Sequence, residues 1–256
     1  MCLIVFAYKS HPEYDLVLAT NRDEFYGRPT RPAQFWADEK SPDILAGKDL
    51  EAGGTWMGIH KNGSWAAVTN YRDPSIIKEN PPSRGELVLN YLRGNMQAMD
   101  YLQDVTTRAS EYRGFNLLLW DESGFYHYSN QSKIVSKIKA GIHGLSNAFL
   151  NTDWPKLKIA KSQLEQITRK GDIQKEALFQ LLQNEQKAPE NELPVTGIPQ
   201  HLEKAVSSVF IKTESYGTRC STLLLIDKEG MVDFTERSFK PGTSDISDER
   251  NFQFQI

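Results

Sequence analysis

Residues 2–24 read CLIVFAYKSHPEYDLVLATNRDE, and they decide the fold prediction for the chain. Within them, residues 3–8 and 16–20 are apolar runs rich in β-branched and aromatic side chains, and a Ser-His-Pro turn at 10–12 separates them. Two such runs around a short polar turn are typical of a β-hairpin. We therefore predict an N-terminal hairpin whose first strand begins beside a cysteine and whose second strand ends in four polar residues.

Further along the chain, hairpin signals alternate with pairs of helices. Asn62 and Gly63 separate apolar runs at 55–59 and 65–69, and Asn-Gly in this place is a strong signal for a hairpin turn. A capping box at 83–86 predicts the start of a first helix. Further helices are predicted over 96–110, 154–168 and 173–185. Strands are predicted over 115–120, 125–129, 134–135, 141–146, 207–211, 221–226 and 231–237. Blocks of antiparallel strands and paired helices indicate an α+β layered fold.

The domain organisation follows from the same pattern. One domain is predicted over residues 1–240, with a Pro-rich surface loop or flap at 187–199. The remaining residues, 241–256, are polar, and we expect them to form a loosely ordered C-terminal tail.

The charge balance and the motif content exclude several function classes. A formal net charge of −3 gives no electrostatic footprint for nucleic acid or for an anionic membrane. No apolar run approaches the roughly 18 residues of a transmembrane helix, and dinucleotide, phosphate-loop and zinc signatures are absent from the sequence. Cys2 and Cys220 lack metal-ligand spacing, so we expect no metal site, a reducing compartment and a cytoplasmic location.

Cys2 is the main candidate for chemistry. Removal of the initiator Met1 before a small residue would leave a cysteine with a free α-amine, which places a nucleophile and a base on one residue. The thiol has an ordinary pKa near 8.5 and the amine one near 7.7–8.0, so both titrate close to neutrality. The alternative from position alone is a small buried apolar residue at a strand start.

Polar residues at the ends of other strands strengthen the interpretation. On a continuing strand, Asn21 and Asp23 share one face, and Asp23 is suited to orient an amine. An amide at a strand end is suited to donate to a developing oxyanion, and an arginine is suited to lower a thiol pKa. Asn70 and Asn147 are the amides in such places, and Arg219 is the arginine. Each is alternatively a solvated strand end.

Seven short motifs occur in order along nearly the whole chain: NRDE at 21–24, GGTW at 53–56, TNY at 69–71, RGEL at 84–87, GFNL at 114–117, GLSN at 144–147 and GTR at 217–219. In these motifs the chain resembles the NRDE-motif family, also called the transport and Golgi organization family. More distantly, it is similar to N-terminal-nucleophile hydrolases of the penicillin V acylase and bile-salt hydrolase group. That resemblance implies a four-layer αββα sandwich of two antiparallel sheets between helix layers.

The resemblance also implies roles for particular residues. Cys2 would be the nucleophile, Asp23 would orient its amine, and Arg219 would tune the thiol. Asn70 and Asn147 would be oxyanion or substrate donors. In the acylases the early arginine and aspartate are several residues apart and can share a face. In this chain Arg22 and Asp23 are adjacent, and adjacent strand residues point to opposite faces. Arg22 would therefore enter such a site only if a bulge or turn redirects it. Predicted substrate-binding residues are Asn21, Arg22, Gly53, Gly54, Trp56 and Tyr71.

Two functions are compatible with these residues. The first is hydrolysis of a carbon–nitrogen amide bond, or of a thioester, in a small molecule, with no cofactor required. The second is a binding and trafficking protein that holds haem or an acyl-CoA-like or lipid-like ligand in the same pocket without turnover. For haem, His60 and His143 are the first candidate ligands, and the Cys2 thiolate is an alternative axial ligand.

Overall fold

A computed structural model describes residues 2–37 and 41–256 of the chain. The chain divides into two compact units. The first unit contains residues 2–27, 140–146 and 150–255, and the second contains residues 28–37, 41–139, 147–149 and 256.

The first unit is built on an antiparallel sheet with the strand order β10-β1-β2-β11-β12-β13. Its strands are β1 (Cys2–Tyr8), β2 (Tyr14–Phe25), β10 (Gly141–Leu145), β11 (Tyr216–Asp227), β12 (Met231–Phe239) and β13 (Ile246–Gln255). Its helices are α3 (Pro155–Thr168), α4 (Lys175–Leu182) and α5 (Gln200–Ala205), with a 3-10 turn at Glu190–Glu192. One apolar core, which includes Leu3, Val17, Leu157, Phe179 and Leu223, joins α3 and α4 to one face of the sheet.

The second unit is built on an antiparallel sheet whose strands follow chain order from β3 to β9. Its strands are β3 (Thr30–Trp36), β4 (Ser41–Asp49), β5 (Met57–His60), β6 (Trp65–Asn70), β7 (Phe115–Asp121), β8 (Gly124–Ser129) and β9 (Ile134–Lys137). Its helices are α1 (Gly85–Arg93) and α2 (Ala98–Arg108), followed by a 3-10 turn at Ala109–Glu111. Val68, Leu87, Leu102, Leu117 and Tyr128 belong to the core between these helices and the sheet.

The predicted α+β class is confirmed, since each unit pairs an antiparallel sheet with helices on one of its faces. One sheet covered by one helix layer forms half of an αββα sandwich. The Asn62-Gly63 hairpin is also confirmed, because β5 pairs with β6 and Gly63 adopts a positive φ of 91°.

Several predicted elements were wrong, and polar composition explains most of them. Strands β3 and β4 were missed because proline and charged residues interrupt their apolar pattern. The predicted strand at 207–211 is an irregular buried segment, in which the Phe210 N–H donates to the Asn184 carbonyl and the Ile211 N–H to Thr218 Oγ1. Helix α5 lies between the predicted loop at 187–199 and the predicted strand at 207–211, and it was not predicted.

The helix start at 83–86 and the C-terminal tail also need correction. The structure shows no side-chain cap at the N-cap residue Arg84, so the capping box is wrong; Glu86 instead accepts a hydrogen bond from the Tyr112 hydroxyl. Residues 241–256 are not a loose tail, because β13 pairs with β12 along its length. Its half-buried side chains alternate with exposed ones, and this period-two pattern was hidden by its polar composition.

Candidate functional site

Three chemically distinctive side chains form a row across neighbouring strands of the first unit. Cys2 of β1 lies opposite Arg22 of β2, and Arg22 lies opposite Cys220 of β11. Directly opposed residues in antiparallel strands project to the same face, so two thiols flank one guanidinium. All three side chains are buried. We refer to Cys2, Arg22 and Cys220 as the thiol–arginine row.

Arg22 carries an unfilled hydrogen-bond donor within this row. The residue is only 5% exposed. Its Nη1 has no hydrogen-bond partner among residues 2–37 and 41–256. A buried donor without a partner costs free energy, and an acceptor oxygen of a bound ligand would recover it. The row therefore offers one unfilled donor to a ligand, on the residue opposite Cys2.

Asp23 faces the other side of the sheet, together with Asn21. Asn21 Nδ2 donates to the Leu182 carbonyl at the end of α4 at 2.8 Å, which identifies this side as the helix side. Asp23 lies opposite Thr218, whose hydroxyl donates to Asp23 Oδ1 at 2.7 Å. The prediction that Asn21 and Asp23 share a face, opposite to Arg22, is confirmed. Arg22 reaches the Cys2 face without redirection, because the strand register already places it there.

A β-bulge occurs in this region, and it lies on β11. Thr218 pairs with Asp23 and Cys220 with Arg22, which leaves Arg219 as the extra residue between them. Arg219 Nη1 donates to the carbonyl of Phe25 at 2.9 Å, beyond the row. The bulge thus directs Arg219 toward the end of β2.

The pKa of the Cys2 thiol is raised above its usual range. Burial raises the pKa of Cys2, and the Asp23 carboxylate raises it further, whereas Arg22 lowers it. The backbone N–H of Asp23 also donates to the Cys2 sulfur and lowers the same pKa. Arg22 is an arginine that lowers the pKa of this thiol. A role for Arg219 in tuning the thiol stays a prediction.

Asp23 is itself enclosed, with an exposed fraction of 1%. Burial raises the pKa of its carboxyl; the strongest opposing effect is the charge of Lys156, and the Thr218 hydrogen bond acts in the same direction as Lys156. The Tyr216 hydroxyl donates to the Asp23 carbonyl at 2.9 Å. Asp23 is therefore held by both its side chain and its backbone.

Three residues around Cys2 and Asp23 were not predicted from the sequence. Ser146 Oγ donates to the Cys2 carbonyl at 3.1 Å, Thr218 supports Asp23, and Lys156 supplies a buried positive charge. Ser146 and Thr218 lie inside the motifs GLSN and GTR, so the motifs themselves were the available signal. Lys156 carried no signal, because its burial arises only from tertiary packing.

The second unit brings Asn70 and Asn147 together. Asn147 Nδ2 donates to the Asn70 carbonyl at 3.0 Å, and the Asn147 carbonyl accepts from the Arg72 N–H at 2.7 Å. Asn116 Nδ2 donates to the carbonyl of the next residue, Ala148, at 2.9 Å. The Asn147 amide is thus anchored at the end of β6. The proposed oxyanion roles of both asparagines stay predictions.

The other predicted binding residues of the second unit have packing roles. Gly53 adopts a positive φ of 76°, and a Cβ on Gly54 would lie 2.7 Å from the carbonyl carbon of Gly85. Trp56 packs against the apolar core of this unit. Tyr71 contacts Phe149, with ring centroids 5.0 Å apart. These contacts explain the residues structurally, and their binding roles stay predictions.

The two candidate haem ligands have hydrogen bonds of their own. His60 Nδ1 accepts from the Asn62 N–H at 3.0 Å. His143 stacks on Phe6, and its Nδ1 lies 3.0 Å from Asn151 Nδ2. The described part of the chain contains no group of three or more His, Cys, Asp or Glu side chains arranged to hold a metal ion.

The arrangement of sheets and helices has a counterpart among solved structures. Over 99% of this chain and 97% of the other, it is similar to the C2A mutant of conjugated bile acid hydrolase from Clostridium perfringens, with a TM-score of 0.53 and 10% sequence identity. This protein has the fold of the N-terminal-nucleophile hydrolases. None of its helices in residues 2–37 and 41–256 is long and apolar enough to span a membrane.

Sequence similarity then defines the family. The family model described as Transport and Golgi organisation 2 matches residues 1–241. The Transport and Golgi organization protein 2 homolog of Bos taurus is 38% identical over 259 residues, covering 93% of each chain. The Homo sapiens homolog is 35% identical over 279 residues, covering 100% of this chain and 99% of its own. The chain belongs to the Transport and Golgi organisation 2 family, as its motifs predicted.

Proposed function

We propose that the protein hydrolyses a carbon–nitrogen amide bond or a thioester in a small molecule, with Cys2 as the nucleophile after removal of Met1. The observation that carries this proposal is the pairing of a buried thiol, Cys2, with the unfilled donor of Arg22 directly opposite. The structural neighbour is a conjugated bile acid hydrolase in which the cysteine at that protein's own position 2 is replaced by alanine, and this further supports the proposal.

The raised pKa of Cys2 requires a base, and the free amine of the processed residue supplies one. The amine takes the thiol proton, and the sulfur attacks the carbonyl carbon to form a C–S bond. The tetrahedral intermediate then expels the leaving amine or thiol, which receives the proton from the Cys2 ammonium. Water attacks the resulting acyl-thioester, gives its proton to the amine, and releases the acid and the free thiol.

The surrounding groups have separate tasks in this scheme. Asp23 orients the Cys2 amine. Arg22 donates to an acceptor oxygen of the substrate, which restricts the substrate to molecules with an oxygen near the scissile carbonyl.

A second candidate function uses the same residues without turnover. The unfilled donor of Arg22 also favours an anionic ligand such as an acyl-CoA-like molecule. Haem binding remains part of this alternative, with His60, His143 and Cys2 as its candidate ligands.

Hydrolysis assays on the Met1-free protein separate these functions. The assay offers N-acyl amino acids and acyl-thioesters to the unmodified protein and to its Cys2→Ala and Cys220→Ala variants. We expect hydrolysis that is lost in Cys2→Ala and retained in Cys220→Ala, the matched thiol on the other side of Arg22. Ligand binding with no turnover of either substrate class would reject the hydrolase and support the binding protein.

A further inference from the structure

Cys2 lies at the point where one of the two strands beside β1 stops pairing with it. On one side β1 pairs with β2 from Tyr8 to Cys2, which lies opposite Arg22. On the other side the pairing with β10 ends two residues earlier, at Ile4 and Leu145. Backbone order is lowest at chain termini that no neighbouring element holds. Cys2 is such a terminus on its β10 side, since it lies beyond the last residue pair of β1 and β10.

A serine hydroxyl binds the backbone of Cys2 on this side. Ser146 directly follows β10, and its Oγ donates to the Cys2 carbonyl at 3.1 Å. Carbonyl groups along a strand point to alternate sides, so the Cys2 and Ile4 carbonyls both face β10. Both Ser146 and Cys2 are buried, so the hydrogen bond forms away from competing solvent. The hydroxyl therefore continues at Cys2 the pairing that β10 makes with Ile4.

The next carbonyl of β1 has a hydroxyl donor of its own and offers a comparison. Thr20 Oγ1 donates to the Leu3 carbonyl at 2.6 Å, and Thr20 is as fully buried as Ser146. Leu3 lies inside the pairing of β1 with β2, opposite Asn21, and residue pairs continue on both sides of it. Thr20 therefore reinforces backbone that the sheet already holds, whereas Ser146 acts at the end of the strand.

The position of the Cys2 carbonyl matters for the chemistry of the processed residue. After removal of Met1, the Cα of Cys2 would carry the thiol and the free amine, and the carbonyl would be its one link to the rest of the chain. A fixed carbonyl restricts the movement of this Cα, and with it the positions of the sulfur and the amine. Misplacement of a reacting group by about 1 Å can cost about 100-fold in rate.

We propose that Ser146 is a positioning residue for Cys2: its hydroxyl fixes the Cys2 carbonyl and thereby places the sulfur and the amine for attack on a substrate. The second half of this statement rests on the proposed function. The first half is a property of the folded chain and needs no turnover.

Backbone order tests the first half. The Cys2 carbonyl and the Leu3 N–H belong to one planar peptide unit, so the NMR order parameter of the Leu3 amide 15N reports how firmly that unit is held. We expect about 0.85, the value of rigid backbone, in the unmodified protein and a decrease toward about 0.6 in Ser146→Ala. Thr20→Val removes the matched hydroxyl and should leave the value near 0.85. An unchanged value in Ser146→Ala, or an equal decrease in Thr20→Val, would overturn the proposal.

Acylation kinetics test the second half. The Met1-free protein reacts with an activated acyl ester, and the rate of acyl transfer to the N-terminal peptide is measured over a range of ester concentrations. Ser146→Ala should lower the rate at saturation at least about tenfold and change the half-saturating concentration by less than about twofold, because its hydroxyl holds Cys2 itself. Thr20→Val should retain the rate. Equal slowing in both variants, or no slowing in Ser146→Ala, would contradict a positioning role.

Ser146→Cys covers the case in which Ser146→Ala does not fold. It nearly keeps the volume of the side chain, and its S–H is a weaker donor, so the Leu3 order parameter should lie between those of the unmodified protein and a fully released peptide. A value equal to that of the unmodified protein would count against the anchoring. Lowered order in these variants with no acylation of any form, the unmodified protein included, would reject the proposed function and not the anchoring, and acylation with unchanged order the reverse.

Discussion

Arg22 and Asp23 are neighbours in the sequence, and β2 turns them to opposite faces of the sheet in the first unit. The period of two in a strand is sufficient to predict that separation. Which of the two shares the Cys2 face depends on the register between β1 and β2, and turn length and packing set that register. The motif at 21–24 therefore marks residues near Cys2, and the structure adds that Arg22 lies opposite the thiol.

His127 gives a residue-scale prediction about pH. It is buried in the second unit, its Nε2 lies 3.2 Å from Asn116 Oδ1, and burial lowers its pKa to about 4. In the unfolded chain a histidine has a pKa near 6.5, so the unfolded state binds the proton first as the pH falls. Stability should therefore be fully present above about pH 6.5 and lost progressively toward pH 4, by about 3 kcal/mol at most.

The measurement is the free energy of unfolding in urea between pH 4 and pH 7. His127→Gln, which keeps a side-chain donor for Asn116 but does not titrate, should flatten the dependence. His201→Gln, at an exposed histidine, should leave it in place. An unchanged slope in His127→Gln would show that other groups cause it.

At the scale of elements, the strands and helices that the sequence predicted correctly are those with a strong apolar pattern. β1 and β2 are examples, since their apolar runs are buried nearly without interruption. β13 was missed because its alternating pattern is made of polar side chains. Residues 207–211 were misassigned because an apolar run shows burial and does not show whether the backbone pairs with a strand. In this case the backbone bonds are made to Asn184 and Thr218.

The contact between Gly54 and the start of α1 gives an element-scale prediction. A Cβ at Gly54 would meet Gly85 backbone atoms at 2.7 and 2.9 Å, so either the helix start or the loop must move. Gly54→Ala should lower the free energy of unfolding by about 3 kcal/mol, the upper part of the usual range for overpacking. Gly53→Ala, which has nothing within 4 Å and carries only the cost of its positive φ, should lose about 1 kcal/mol.

Urea unfolding of the two variants side by side measures the difference. Because the glycines are adjacent, effects of the unfolded chain should nearly cancel between them. A Gly54→Ala variant as stable as Gly53→Ala would mean that α1 shifts freely and that the close approach is not required.

At the scale of the whole molecule, the ordered motifs were enough to predict the family and the α+β class, because they are distributed over nearly the full chain. They also mark residues such as Ser146 and Thr218, whose contacts with Cys2 and Asp23 became visible only in the structure. Lys156 shows what a sequence pattern does not contain. Its burial results from α3, residues 206–211 and β2 meeting in space, and no local pattern encodes such a meeting.

The central claim is that processed Cys2 forms an acyl-thioester. The most direct measurement is mass spectrometry of the mature protein after incubation with an activated acyl ester, followed by analysis of its N-terminal peptide. We expect a chain that lacks Met1 and carries one acyl group on Cys2, which hydroxylamine removes and Cys2→Ala abolishes. Retained Met1, or acylation that bypasses Cys2 and persists in Cys2→Ala, would contradict the account.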